Sequence, residues 1–440
     1  MYKTKSKKGI TLVALVITII VLMILAGVAI SLATGQNSIF SKANNAATKW
    51  NTAVGKESNT IKNILAIADQ VTGGGDDDDE VNPPTPAGYE VSEISSEDSV
   101  SEGLVIYEIP EGATVNWKED EADGTNESTI TKGGNTTNLQ ETVNQYVWIP
   151  VEEINDMVMC ESNNKLPEGE GNKICNIKLV KEEGSEEEIL KCTNPDHSTT
   201  ATNLVGRLYT STRTSTTDGD NTIYSYTIDF KKRDQTYDES GYHEPNTVSS
   251  DSSNKITIDQ LKSDFTAMAT SVERYGGFYI SRYEIGAEGS SKKGQPVLTA
   301  ATTGGGSGAT EYLGANKWYG LYNTIKNSGA NKQMIWGCQY DQVIKFLKEN
   351  EQYPEIGHTY IAISRTLSGK NEQDCMNNIY DLEGNHNEWT AEAYSTVGRA
   401  ARGSYYSYAN SGGFYPASYR NISSPTGSLP NYSSRTTLYL

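Results

Sequence analysis

Residues that perform chemistry are scarce in this chain. It has four histidines and five cysteines among 440 residues. No two cysteines form a C-x-x-C pair, and an odd number allows at most two disulfides with one thiol left over. Cys160, Cys175 and Cys192 lie near His197, but gaps of 14 and 16 residues are wide for a zinc site. Positive charge is also short. Lys and Arg total 37 against 56 Asp and Glu, for a net charge of −19. No dense basic surface is therefore available to displace counterions from phosphates, which excludes nucleic acid as a partner. Phe (6) and Met (7) are few beside Tyr (27) and Gly (40), which favours β-rich, loop-heavy architecture over helix bundles.

A second absence is local. From Ala400 to Leu440 there is no Lys, Glu, Gln, Met or Trp, although all five occur between Gly369 and Arg399. What fills the stretch is seven Tyr, nine Ser, four Gly and three Asn. Tyr supplies rigid amphipathic contact area and small polar residues supply adaptable hydrogen bonds, the combination used by antibody loops. Regularly spaced aromatics also argue against a disordered tail.

At the other end, Lys7-Lys8-Gly9 precedes an apolar run from Ile10 to Leu32, 23 residues long. That length spans a bilayer as a helix, and the lysines hold the N-terminus on the cytoplasmic side. An apolar stripe at three- and four-residue steps continues from Asn37 to Gln70. Gly73-Gly74-Gly75, the acids Asp76 to Glu80 and Pro83-Pro84-Thr85-Pro86 then read as a linker over 73–87. The chain beyond it is expected to be α+β. A short β-rich lead-in covers 88–144, with Leu104 to Tyr107 suiting an edge strand. The main domain covers 145–440, with an acidic insertion at about 152–254 that carries a hairpin arm at Thr222 to Phe230. Gln145 to Val151 and Gly277 to Ile285 read as strands. A helix from Thr257 to Arg274 carries Leu261, Phe265, Met268 and Val272 on one stripe and stops at Gly276-Gly277. Two further helices are marked by Trp318, Leu321, Tyr322 and Ile325, and by Val343, Ile344 and Leu347. The Gly/Ser/Thr-rich loop from Thr302 to Thr310 lacks the lysine of a phosphate cradle.

The N-terminal KKGITLVALVITIIVLMILAG resembles type IV prepilins. The resemblance implies a leader of residues 1–9 removed by a prepilin peptidase after Gly9, methylation of Ile10, and a transmembrane and amphipathic pilin-like helix over 10–72. The family usually carries Glu at the fifth mature position, where this chain has Ala14. That departure points to a tip or minor subunit, or to a membrane-held protein, rather than a bulk filament subunit.

YVWIPV, YGGFYISRYEIG, QMIWG, NIYDLEGNHNEWT and GRAARGSYY…PASYR follow in one order. Together they resemble the C-type-lectin-like fold of the formylglycine-generating (sulfatase-modifying) family. Against the family's usual YDMAGNVWEW pattern, His386 and Asn387 replace two apolar positions. Gly384, Asn385, Glu388 and Trp389 are expected to shape a buried turn, with the Glu388 carboxylate bonded to backbone. Arg399, Arg402, Gly403, Pro416, Ala417 and Arg420 match framework positions of the family, and Arg435 to Leu440 suits a closing strand. Oxidase members use paired cysteines near the segment matching Pro416 to Arg420. This chain has Ser418 and Tyr419 there and no cysteine after Cys375, so it is expected not to be an enzyme. The four histidines, His197, His243, His358 and His386, read as sitting in unrelated polar surroundings.

A lectin-like fold with a variable C-terminus is similar to the variable proteins of diversity-generating retroelements. Randomising the adenines of AAC or AAT codons cannot yield Lys, Glu, Gln, Met or Trp, which is the set missing from Ala400 to Leu440. The resemblance implies a variable region at about 403–431. Its ligand-binding candidates are Tyr405, Tyr406, Tyr408, Asn410, Ser411, Phe414, Tyr415, Tyr419, Asn421, Ile422, Thr426, Leu429 and Asn431. The expectation is a single-pass bacterial surface protein, held in the membrane by residues 10–32 or at a pilus tip with other pilins. It would bind an extracellular protein or glycan. No cofactor is implied, and the many acidic loop residues leave a calcium requirement open. Two alternatives stand beside this: a structural minor or tip pilin without a ligand, and the oxidase disfavoured by the missing cysteines.

Overall fold

The chain divides into two units, Met1–Asp77 and Asp78–Leu440. A computed structural model describes residues 83–119, 127–160, 177–181, 188–192, 204–218, 221–234, 256–305, 312–353, 365–395, 398–406 and 416–440, all in the second unit. Gly9, Ile10, the apolar run to Leu32, the stripe to Gln70 and most of the linker lie outside the described residues. Among the described residues, no helix is long and apolar enough to cross a membrane.

The unit is α+β. Its central sheet is built from β1 (Tyr89–Val91), β2 (Val105–Glu108), β3 (Gln145–Pro150), β4 (Gly277–Ser281), β5 (Lys332–Met334) and a C-terminal strand, Thr436–Leu438. The order is β1-β2-β3-β4, then the C-terminal strand, then β5, and every pairing is antiparallel. Alternation along each strand loads both faces. Val105, Tyr107, Val147, Ile149, Phe278 and Ile280 enter the main core. Leu104, Ile106, Tyr146, Trp148, Tyr279 and Leu438 form a second buried cluster on the other face. Gly277 is required where β4 meets β3, because a Cβ there would lie 2.4 Å from the Trp148 ring and 2.5 Å from the Ile149 carbonyl oxygen.

Three helices cover the main face. α1 (Ile258–Tyr275) starts where the Thr257 side chain accepts from the Gln260 N–H. It ends at Gly276, which takes the left-handed conformation (φ 74°). Leu261, Phe265, Met268 and Val272 are buried, as their spacing predicts. α2 (Lys317–Asn327) buries Trp318, Leu321, Tyr322 and Ile325. α3 (Gly337–Glu349) buries Val343, Ile344 and Leu347, and Gln339 Oε1 accepts from the Trp336 N–H at its start.

The lead-in is part of this core rather than a separate layer. β2 is an interior strand, and β1 takes the edge. Arg282 after β4 reaches back to Glu97 at 2.7 Å, and Glu97 also accepts from the Tyr107 hydroxyl at 2.7 Å. The linker's end is packed as well: Pro83 is buried, and Tyr279 Oη donates to the Pro84 carbonyl. Within the acidic insertion, Leu204–Asp218 and Asn221–Asp234 form the long antiparallel hairpin that the period-two pattern predicts.

A second sheet of four strands presents the C-terminal region. It contains β6 (Asn387–Ser395), β7 (Gly398–Arg402), β8 (Arg420–Ser423) and β9 (Tyr432–Ser434), in the order β8-β7-β6-β9. β6 pairs antiparallel with β7 and parallel with β9. Ser433 and Ser434 are buried, and the chain passes directly into the closing strand, β10 (Thr436–Leu438), as Arg435 to Leu440 suggested.

Candidate functional site

The candidate variable region begins after β7, and its 403–419 stretch connects β7 to β8, so the first question is what holds the two ends of that stretch. At the exit, Gly403 sits at φ +70°, and a Cβ there would lie 2.9 Å from the Leu382 carbonyl oxygen. The next residues are laced to the 381–388 segment. The Ser404 N–H donates to the Glu383 carbonyl at 3.0 Å, and the Tyr406 N–H to the Asn385 carbonyl at 3.1 Å. At the return, the Ala417 N–H donates to Glu383 Oε1 at 3.2 Å, and Tyr419 closes a turn onto the Pro416 carbonyl.

Exit and return are joined by buried charge. Arg402, at the end of β7, donates from Nη1 to the carbonyls of Ala417 and Ser418 at 3.2 and 2.9 Å. Its Nη2 reaches Asp341 on α3 and the Gly337 carbonyl. Arg420, opening β8, bonds the other Asp341 oxygen, and its Nε lies 3.0 and 3.1 Å from the Glu392 oxygens. Two guanidiniums face two carboxylates away from solvent, so the group is paired and hydrogen-bonded as a buried charge must be. None of these contacts uses a side chain from the candidate contact positions.

The 380–389 segment supports the same end. Gly384, Asn385, Glu388 and Trp389 are all buried, as expected of a turn core. Asn385 is left-handed (φ 57°), and its side chain accepts from the Thr366 N–H at 3.0 Å while donating to Glu284 at 2.6 Å. The partner expected for Glu388 requires correction. Its carboxylate takes the Arg435 Nε and the Tyr340 hydroxyl (2.9 Å), not backbone, because Arg435, between β9 and β10, and Tyr340, on α3, both bring their donors to it. His386 also departs from expectation. Its surroundings are polar but not unrelated: it is buried, with Nδ1 3.2 Å from Glu284 Oε1. Burial pushes its imidazole down to about 3, so the contact with Glu284 is a hydrogen bond rather than an ion pair. Burial pushes Glu284 up to about 8 against the pull of Arg435, and Glu388 up to about 8 in the same way. His197, His243 and His358 lie outside the described residues.

Framework and candidate positions separate by exposure. Arg399, Arg402, Gly403, Pro416, Ala417 and Arg420 are buried. Tyr405, Tyr406, Tyr419, Asn421, Thr426, Leu429 and Asn431 are partly buried, and Ile422 is 42% exposed. Tyr408, Asn410, Ser411, Phe414 and Tyr415 lie outside the described residues. Some candidates also pack. Leu429 rests against the main core and bridges Ala300, and Asn421 donates to Tyr432 Oη at 3.3 Å.

Two residues that sequence reasoning missed join this surface. The Arg365 guanidinium lies over the Tyr312 ring at 4.1 Å and the Tyr406 ring at 4.9 Å, and its Nη2 donates to Tyr406 Oη at 2.8 Å. Tyr405 meets Tyr406 edge-on at 5.7 Å. No sequence signal ties Tyr312, Arg365 and Tyr406 together, since three separate segments bring them to one place.

Among the described residues, no cluster of His, Cys, Asp and Glu could hold a metal ion. Of the described cysteines, Cys338 and Cys375 are free. Burial pushes both thiols up, Cys375 to about 11, which disfavours a thiolate.

No protein-family model and no curated protein matches the chain. Among solved structures it is similar to the Major Tropism Determinant U1 variant, with 15% identity over 56% of this chain and 66% of that one, at a TM-score of 0.24. The I1 variant of the Major Tropism Determinant aligns at 11% identity over 73% of this chain and 93% of that one, with a TM-score of 0.25. Treponema denticola variable protein 1 aligns at 12% identity over 54% of this chain and 96% of that one, with a TM-score of 0.17.

Proposed function

We propose that residues 403–431 form a non-covalent ligand-binding surface displayed by a C-type-lectin-like scaffold. The observation that carries this reading is the division of labour between framework and surface. The ends of its 403–419 stretch are fixed by Arg402, Arg420, Asp341 and Glu392, all buried, while the described candidate positions are only partly buried and Ile422 is exposed. A surface held this way tolerates side-chain replacement without loss of the fold. The Tyr/Ser/Gly/Asn composition suits contact, and the missing Lys, Glu, Gln, Met and Trp suit variation by adenine randomisation.

In the same reading the prepilin-like N-terminus is cut after Gly9, methylated at Ile10 and held in the membrane by residues 10–32. The lectin-like unit then faces the outside, alone or at a pilus tip, to meet a protein or glycan. The protein acts without covalent chemistry. Two observations test it. A reverse transcriptase and a near-identical repeat differing at adenines should lie beside the coding sequence. Replacing Tyr405, Tyr406, Tyr419 and Ile422 together by Ala should abolish ligand capture with the circular dichroism spectrum unchanged. Unfolding of that variant would instead assign these residues to packing.

A further inference from the structure

Among the arginines whose side chains are described, Arg365 and Arg399 reach no carboxylate, and Arg399 is fully buried over the Trp318 ring, which leaves Arg365 as the one that solvent reaches. Arg274, Arg282, Arg402, Arg420 and Arg435 each reach a carboxylate, and Arg399 donates to the Ala391 carbonyl. Arg365 gives one hydrogen bond, to a tyrosine hydroxyl, although acidic residues outnumber basic ones by 56 to 37. It is also held in place. Tyr312 and Tyr406 take the two nearest ring contacts at 4.1 and 4.9 Å, and the bond to Tyr406 Oη fixes the plane. Thr366, the next residue, is tied by its N–H to Asn385. Arg365 is therefore only partly buried, pre-ordered and short of acceptors: among the described residues Nη1 has no acceptor, and Nε is buried without one. His386, whose ring lies 6.5 Å from that of Tyr406, is uncharged near neutral pH and carries no charge to offset or reinforce it.

We propose that Arg365 is a fixed cationic centre of the ligand surface and receives a carboxylate on the ligand, a reading that rests on the surface assigned above. A flat guanidinium with free edge donors matches a carboxylate in two parallel hydrogen bonds. The charge pattern narrows the ligand further. A single cation on a chain of net charge −19 suits one carboxylate on an otherwise neutral molecule, and a run of acidic residues would be repelled. A glycan ending in an acidic sugar has that chemistry. Its neutral ring and hydroxyls would lie beside Tyr405 and Tyr406, which are only partly buried. Arg365 and Tyr312 lie upstream of the candidate variable region, so the cationic centre would stay constant while the surrounding contacts vary.

The test uses the full chain, immobilised, with four probes: lactose capped by sialic acid or by glucuronic acid, the methyl esters of both, plain lactose, and a glutamate-rich peptide. At least one acid-capped glycan should bind, and its ester and plain lactose should bind weaker by about tenfold or more. Arg365→Gln should lose the preference for the acid. Arg365→Lys, which keeps the charge but not the fork, should retain part of it at low salt. Matching thermal melts establish that both variants are folded, and a variant that fails this control is replaced by Tyr312→Ala, which frees the guanidinium and should weaken acid binding. Equal binding of acid and ester, an unaffected Arg365→Gln, preference for the acidic peptide, or no binding of either acid-capped glycan overturns the proposal. If neutral ligands bind in a way that Tyr405 and Tyr406 control, the ligand surface stands without the cationic centre. If nothing binds, the cationic centre falls, and the ligand surface is decided by the capture experiment on the Tyr405, Tyr406, Tyr419 and Ile422 variant.

Discussion

Replacing Asp341 by Ala should unfasten both ends of the displayed segment at once. Asp341 is 6% exposed and takes one guanidinium on each oxygen, Arg402 (0% exposed) and Arg420 (7% exposed). The wild-type group of two arginines with Asp341 and Glu392 is neutral, so the variant buries a net positive charge. Arg420 keeps Glu392, and Arg402 keeps three carbonyls, which limits the loss but does not restore the charge balance. Removing one member of a buried ion pair costs about 3–5 kcal/mol, against a total stability of about 5–15 kcal/mol for a domain. The measurement is urea unfolding of the full chain, followed by tryptophan fluorescence. Ile422→Ala, on the exposed side of β8, serves as the control and should stay within about 0.5 kcal/mol. A loss below about 1 kcal/mol for Asp341→Ala would refute the stapling argument, because the two ends would then be held by something else.

Further expectations follow from single contacts. Gly403→Ala places a Cβ in a left-handed backbone and against the Leu382 carbonyl, and should lower thermal stability by about 1–3 kcal/mol. Glu284 has a folded value of about 8 against an ordinary 4.5, so its contribution is full below pH 4.5 and is lost as pH rises through 8. His386 works in the opposite direction. Its folded value of about 3 lies below the ordinary 6.5, so its contribution is full above pH 6.5 and is lost as pH falls through 3. Stability measured against pH should therefore fall on both sides, and Glu284→Gln should make the alkaline limb shallower, Glu388 accounting for what remains of it. Asn385→Ala strands the Thr366 N–H and should cost about 1–3 kcal/mol, read by chemical unfolding.

The helices were legible because their signals are local. Leu261, Phe265, Met268 and Val272 repeat at one period, and Thr257 and Gly276 cap that repeat. The framework arginines were legible only through the order of motifs, and the sequence named none of their partners. Arg420 and Asp341 stand 79 positions apart, and Arg282 and Glu97 stand 185 apart. Such pairs depend on which strands become neighbours, and no periodicity encodes that. The same cause hid the interior position of β2: Leu104 to Tyr107 reads as a short strand, but its apolar residues on both faces are what an inner strand requires. The burial of His386 was not legible because a histidine in a polar run gives no hint of the Glu284 side chain waiting 102 positions away. Arg365 and Tyr312 escaped notice for want of any local pattern at all.

The central claim is that the fold holds the two ends of the 403–419 stretch and leaves outward side chains of the 403–431 region for a ligand. Its most direct test pairs two readings on one variant, with Tyr405, Tyr406, Tyr419 and Ile422 changed together to Ala in the full chain. Capture of ligands from a glycan and protein array is measured beside the melting temperature. The account predicts loss of capture with a melting temperature near that of the parent chain. Retained capture, or a collapse in melting temperature as large as that of Asp341→Ala, would contradict it.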